Sequence, residues 1–306
     1  MDFIIRLFIS FLMLSCMYTL VAIGFTMYVG VINLANFSHG DTCVIGAFVL
    51  MLLYGFLSYF GITQNGSFIY VQTIIIFTII LTGLWGVLVF KVVINPLLNS
   101  PRLIVLLATV ATGQAIREII RVTYPEGSNP QVFPKIFPDG GIFIKNFLIR
   151  WENIIIFFLT IIILIIINLF INKTKIGLSM RCVSQNYEVS QMMGINVNKT
   201  IMMVFIIGSA LAGLAGIMNG AYYRITKFDI GSNLGIKGFS AAVIGGLGNT
   251  YGAIIGGLII SFVEIFISGL IKGGSQFQDL FSFIVVLIFL IIKPSGILGE
   301  KTYEKV

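Results

Sequence analysis

Charge is what this chain of 306 residues has least of: Asp, Glu, Lys and Arg together make up 10% of it. An ordinary soluble domain carries about a quarter, so with 58% hydrophobic residues the shortage excludes a water-soluble fold. Histidine occurs once, which leaves little for a metal centre or a base-assisted nucleophile, and no clustered catalytic set supports an enzyme. The three cysteines, Cys16, Cys43 and Cys182, are odd in number and far apart, suggesting neither a disulfide framework nor a zinc site. The phosphate-cradling pattern Gly-x-x-x-x-Gly-Lys-Ser/Thr is missing, so nucleotide is not bound through such a loop. Basic patches interleaved with aromatics are missing too, which argues against a nucleic-acid partner. The formal charge of +7 is therefore read as positive charge held on the cytoplasmic side of a membrane.

What the chain does have is long apolar runs. Segments of about the 20 residues that cross a bilayer fall near 4–28, 41–60, 70–90, 103–121, 152–171, 200–223, 251–271 and 277–293. The first has one basic residue before it and no clear small-x-small cleavage site after it, and is taken as a retained helix. Two shorter stretches, 30–40 and 236–248, are apolar or Gly-rich but too short to cross alone, which marks them as broken or re-entrant segments beside protein or water. The expected fold is all-α, a polytopic transmembrane bundle of eight to ten helices, including broken or re-entrant segments, forming one transmembrane domain over residues 1–306.

Orientation follows from the loops. The insert at 173–199 holds Lys173, Lys175, Arg181 and Lys199 against Glu188 and is placed in the cytoplasm, with the basic tail after Lys293 on the same side. The loop at 122–150 then lies outside, as does 61–69, which carries no basic residue. Four of the seven prolines and a Pro138-Asp139-Gly140 turn make 122–150 an irregular segment ending in a short hairpin, either a connector or a landing surface. Read as a helix, residues 179–193 are amphipathic, bracketed by Gly177 and Gly194, and gather Ser179, Cys182, Val183, Asn186, Val189, Ser190 and Met193 on one face. Such a helix rests on lipid headgroups or docks a second protein.

Polar groups at membrane depth are the remaining candidates. Asn33, Asn36, Ser38, His39 and Asp41 crowd the first short stretch, with Asp41 placed to cap a helix starting at 41 or 42. Arg117 and Glu118 lie toward the outer end of their run, where snorkelling accounts for them. Gly208 to Gly216 spaces small residues for close helix packing. The glycines around Gly245 and Gly246 suggest a broken helix beside a permeation path, and Glu264 is the acid set deepest in an apolar run. Asn33, Asn36, Ser38, His39, Gly245, Gly246 and Glu264 are thus the candidate path residues.

Three stretches in order carry a resemblance: Gly30-Val31-Ile32-Asn33-Leu34-Ala35-Asn36-Phe37-Ser38-His39-Gly40-Asp41 with Gly46-Ala47; Gly177 to Ile195 with Arg181, Asn186 and Gly194-Ile195; and Phe239 to Asn249 with Gly252 and Glu264. Together they resemble the permease subunits of branched-chain amino acid ABC importers, nearer the H-type than the M-type. The resemblance implies that residues 177–195 are the coupling helix of a separate ATPase, with Gly177, Ser179, Arg181, Cys182, Asn186, Ser190, Gly194 and Ile195 as its residues. Cys182, Ser184 and Val189-Ser190 depart mildly from the small residues usual there. It also implies a second permease subunit, two ATPase subunits that hold the ATP and magnesium, and an external solute-binding protein, with no cofactor on this chain. Relatives with this pattern carry urea or short amides as well as amino acids. An ion-coupled secondary amino acid transporter is the alternative from another class; few membrane-embedded ionisable groups favour it.

Overall fold

The computed structural model describes residues 2–59, 68–144, 147–271 and 273–299, and in them every long apolar run is helical. The order is α1 (Asp2–Ile32), α2 (Ser38–Tyr59), α3 (Phe68–Val89), α4 (Asn95–Leu97), α5 (Arg102–Thr123), α6 (Trp151–Lys173), α7 (Lys175–Gln185), α8 (Tyr187–Met192), α9 (Val197–Tyr223), α10 (Ile230–Gly245), α11 (Thr250–Leu270) and α12 (Gln278–Ile292). Seven helices among the described residues are long and apolar enough to cross a membrane. The two later short helices, α10 and α12, have 16 and 15 residues, about 24 and 22 Å at 1.5 Å per residue. The loop expected at 61–69 lies largely outside the described residues, as does the chain beyond residue 299.

The two short stretches fall at helix ends. Residues 30–40 do not form a separate segment: α1 continues to Ile32, and Asn33 closes it in the left-handed region (φ 56°). After a few non-helical residues α2 starts at Ser38, three residues ahead of the expected start. The Asn36 side-chain oxygen does the capping there, accepting from the Ser38 N–H at 3.2 Å, while Asp41 turns away to Arg117. Residues 236–248 fall mostly within α10, which stops where Gly246 takes φ 106°. Between α3 and α4 lies a π-helical turn, Phe90–Ile94, closed by Asn95 N–H donating to the Phe90 carbonyl, and Pro96, which has no N–H, follows in the first turn of α4.

The most buried pair, α1 and α9, runs antiparallel: Ser10 meets Tyr222 and Tyr28 meets Phe205. Glycine makes the close approaches at this centre. A side chain at Gly216 would collide with the Cys43 carbonyl of α2, one at Gly213 with Thr82 of α3, and one at Gly208 with the Tyr28 ring. The small-residue surface expected over 208–216 thus packs closely, backbone on backbone where Gly213 meets Gly46 and Gly216 meets Cys43, and apolar lipid leaves such contact as the main source of cohesion. Residues Phe11 and Phe262, and Thr19 and Gly257, pair α1 with an antiparallel α11.

These pairings sort the helix ends. The start of α1, the end of α9 and the loop after α5 share one face, where Phe133 sits against Gly220. There β1 (Gln131–Val132) pairs with β4 (Ile225–Thr226), and β2 (Gly141–Ile144) with β3 (Phe147–Arg150) forms the expected hairpin. The opposite face carries the end of α1, α7, and the turns at 246–249 and 296–299, which meet through Leu298 N–H to Gly245 carbonyl at 2.9 Å.

Candidate coupling surface and membrane-depth polar sites

The polar insert is two helices, not one. Thr174 caps α7, its hydroxyl oxygen accepting from the Gly177 N–H at 3.0 Å, and Arg181 fastens α7 to the end of α6 by donating to the Ile171 carbonyl at 2.7 Å. At Asn186 the chain turns extended (φ −158°), and the Asn186 side chain caps α8 by accepting from Val189 N–H at 3.0 Å. This break shifts the faces relative to a continuous helix over 179–193. Gly177, Val183 and Ser190 are buried, and the Ser190 hydroxyl donates to the Asn186 carbonyl at 2.7 Å, so Ser190 holds the bend and faces away from any partner. Ser179 and Cys182 are half-buried, Arg181 and Asn186 exposed. Gly194 takes φ 80° and Ile195 donates to the Ser190 carbonyl, turning the chain into α9. The surface left open is Tyr187, Val189, Met192 and Met193; Met192 is 85% exposed. Beside it lies a cleft of about 360 Å³ lined by Tyr187, Gln191 and Gly194 to Asn198.

The candidate path residues separate into layers along α1. At Tyr18, the Glu264 carboxylate of α11 accepts the tyrosine hydroxyl at 2.8 Å and meets Lys237 Nζ of α10 at 2.7 Å. Lys237 also reaches Asp279 of α12 at 2.9 Å, so one buried cation ties three helices together. At Gly24, about 9 Å further along, the His39 ring occupies the space that a side chain would fill, with Nε2 3.2 Å from the Val21 carbonyl and the Phe25 and Tyr28 rings edge-on. Asn36 belongs to this layer: its side-chain oxygen accepts the Ser38 hydroxyl at 2.7 Å. At Gly30, the third layer, Gly248 abuts the helix, while Gly245 packs on Gly252 and Gly246 on Gly296 and Gly299. The structure therefore brings Asn36, Ser38 and His39 together and sets Glu264, Gly245 and Gly246 apart from them; Asn33 is exposed at the end of α1.

Lys237 escaped the sequence reading, and the polar residues of α5 have partners that it did not foresee. Lys237, 27 residues from Glu264, was the single cation of its glycine-rich run, which was the available signal. Arg117 does not snorkel outward but meets Asp41 at 3.2 Å. Gln114, Glu118 and Arg121 lie at i, i+4 and i+7 on α5, with Glu118 and Arg121 2.6 Å apart; Gln114 and Arg121 are exposed and Glu118 partly so. By contrast, α6 shows Phe158, Ile161, Ile162, Ile165, Ile166 and Leu169 to its surroundings, as a lipid-facing helix does. On the other face, Arg224 pairs with Glu152 beside a cleft of about 660 Å³ lined by Arg6, Arg150, Asn153 and Tyr222. Partial burial and the neighbouring Arg150 guanidinium lower the Arg224 pKa from its ordinary value, with Asp139 opposing. Among the described residues no three His, Cys, Asp or Glu side chains are grouped to hold a metal.

Seven long apolar helices around buried ion pairs, with a helical pair hung from one face, define a multi-pass helical membrane protein. Residues 7–292 match the family described as "Branched-chain amino acid transport system / permease component", and the chain belongs to it. It is 31% identical over 297 residues to the high-affinity branched-chain amino acid transport system permease protein LivH of Salmonella typhimurium, covering 96% of this chain and 94% of that one. To BraD of Pseudomonas aeruginosa, of the same description, it is 29% identical over 293 residues, 94% of each chain. The probable LivH permease of Methanocaldococcus jannaschii is 30% identical over 299 residues, 93% of this chain and 89% of that one. No solved structure matches the chain. The resemblance to H-type permeases is borne out, and with it a multi-pass permease component as the protein's class.

Proposed function

We propose that this chain is the membrane-spanning half of an ATP-driven importer of branched-chain amino acids, working with a second permease subunit, two ATPases that bind ATP and magnesium, and an external binding protein. One observation supports it above the rest: α7 and α8 form a pre-shaped helical pair whose exposed Tyr187, Val189, Met192 and Met193 offer an apolar knob to a partner. Those residues, with Arg181, Cys182 and Asn186, are the proposed ATPase contact on the cytoplasmic side; Gly177, Ser179, Ser190, Gly194 and Ile195 shape it. The positive charge of 173–199 favours that side, and the loop at 122–150 then faces outward to meet the binding protein.

The exposed Gln114 and the Glu118–Arg121 pair of α5 would be costly against lipid, and the second permease subunit is proposed to cover them. Asn36, Ser38 and His39, close to α5 through the Phe37 N–H to Thr109 hydroxyl bond at 3.2 Å, stay candidates for the path. An ion-coupled mechanism is less well supported, because the deepest acid, Glu264, is already matched by Lys237. The test is uptake of labelled leucine by vesicles holding the whole complex, with ATP inside and ion gradients collapsed. Uptake that requires ATP and the binding protein is expected; uptake driven by an ion gradient alone would overturn the proposal.

A further inference from the structure

Near the end of α6, where the helix otherwise presents isoleucine, leucine and phenylalanine, two asparagines stand four residues apart. They are part of a continuous hydrogen-bond chain. Arg181 of α7 donates to the Asn172 side-chain oxygen at 3.2 Å, Asn172 donates to Asn168 at 2.5 Å, and Asn168 donates to the Tyr251 hydroxyl of α11 at 2.8 Å. Every donor points the same way, so each bond polarises the next. The chain ends in the first turn of α11, which Asn249 caps by accepting from the Tyr251 and Gly252 N–H groups while donating to Leu298 at 3.0 Å. Further along the same helix stands Glu264, bonded to Lys237 and Tyr18.

We propose that Asn168, Asn172 and Tyr251 are positioning residues that lock the coupling helix α7 to α11, so that displacement of α7 by the ATPase is delivered to the helix whose Glu264 pairs with Lys237 of α10. This rests on the importer reading above. Packing alone does not call for these side chains: Asn168 stands among the outward-facing Ile165, Ile166 and Leu169, where an amide carries a desolvation cost that leucine would avoid, and the four partners sit on three separate elements. A cavity of about 90 Å³ beside them, lined by Thr26, Met27, Gly30, Arg181, Ser184, Gly248 and Thr250, leaves α7 room to shift against the end of α1.

The experiment uses the whole complex in vesicles and measures three things: ATP hydrolysis without binding protein, its stimulation by leucine-loaded binding protein, and leucine uptake. Asn168→Leu and Tyr251→Phe are each expected to cut stimulation and uptake about tenfold while unstimulated hydrolysis stays within about twofold and the subunits still co-purify. Asn168→Asp restores the link by accepting from both Asn172 and the Tyr251 hydroxyl, so it is expected to remain coupled, and to lose coupling when combined with Tyr251→Phe. Coupled Asn168→Leu, or an uncoupled Asn168→Asp with Tyr251 intact, would overturn the proposal. A wild-type complex without ATP-driven uptake would remove the importer reading and this inference with it; a coupled wild type beside coupled variants removes the inference alone.

Discussion

Lys237 is the residue whose environment most constrains its replacement. Buried with Glu264 at 2.7 Å, it leaves an uncompensated carboxylate if removed. Breaking such a pair by losing one partner costs about 3–5 kcal/mol, whereas removing both is often close to neutral. Lys237→Met is therefore expected to lower thermal stability in detergent strongly, and Lys237→Met with Glu264→Leu to recover most of it; equal melting temperatures for the two variants would contradict the pairing. Glu264 was visible in the sequence as the acid deepest in an apolar run, since burial depth is a local property of the run. Its partner was not, because the contact joins α10 and α11 through an antiparallel packing that only the folded chain creates. His39 follows the same rule: its polarity was legible, but the slot made for it by Gly24 was not.

At the scale of elements, the apolar runs located the long helices well, since about 20 residues without charge leave few alternatives in a bilayer. The amphipathic period over 179–193 hid the break at Asn186, because α7 and α8 each keep a helical period and only the cap reveals the join. Asn186→Ala removes that cap, at about 1 kcal/mol. With α8 frayed, the apolar knob loses its shape, so the variant is expected to co-purify less ATPase than wild type while the membrane helices remain folded. Undiminished recovery would show that the bend does not present the contact. Unlike Ser190, which is buried, Met192 is open, and Met192→Arg should give the larger loss of association of the two positions.

Across the whole molecule, the antiparallel α1–α9 pair sets the start of α1 on the face of the 122–150 loop and opposite α7. Loop charge alone does not place that end of α1, since the count of crossings depends on two short stretches whose fate is tertiary. With Cys182 replaced by serine, Ile4→Cys and Lys135→Cys are expected to react with an impermeant thiol reagent from one side of sealed cells, and Leu178→Cys only after permeabilisation; Ile4 and Leu178 are both exposed. Labelling of Ile4→Cys together with Leu178→Cys would reverse the arrangement of α1.

The seams of α9 have a mechanical meaning. Where Gly213 meets the backbone at Gly46 and Gly216 meets the backbone at Cys43, little flexible side chain lies between α9 and α2 to absorb sliding. Helix α9 is then the stiff axis of the bundle, against which its neighbours tilt more readily than they slide.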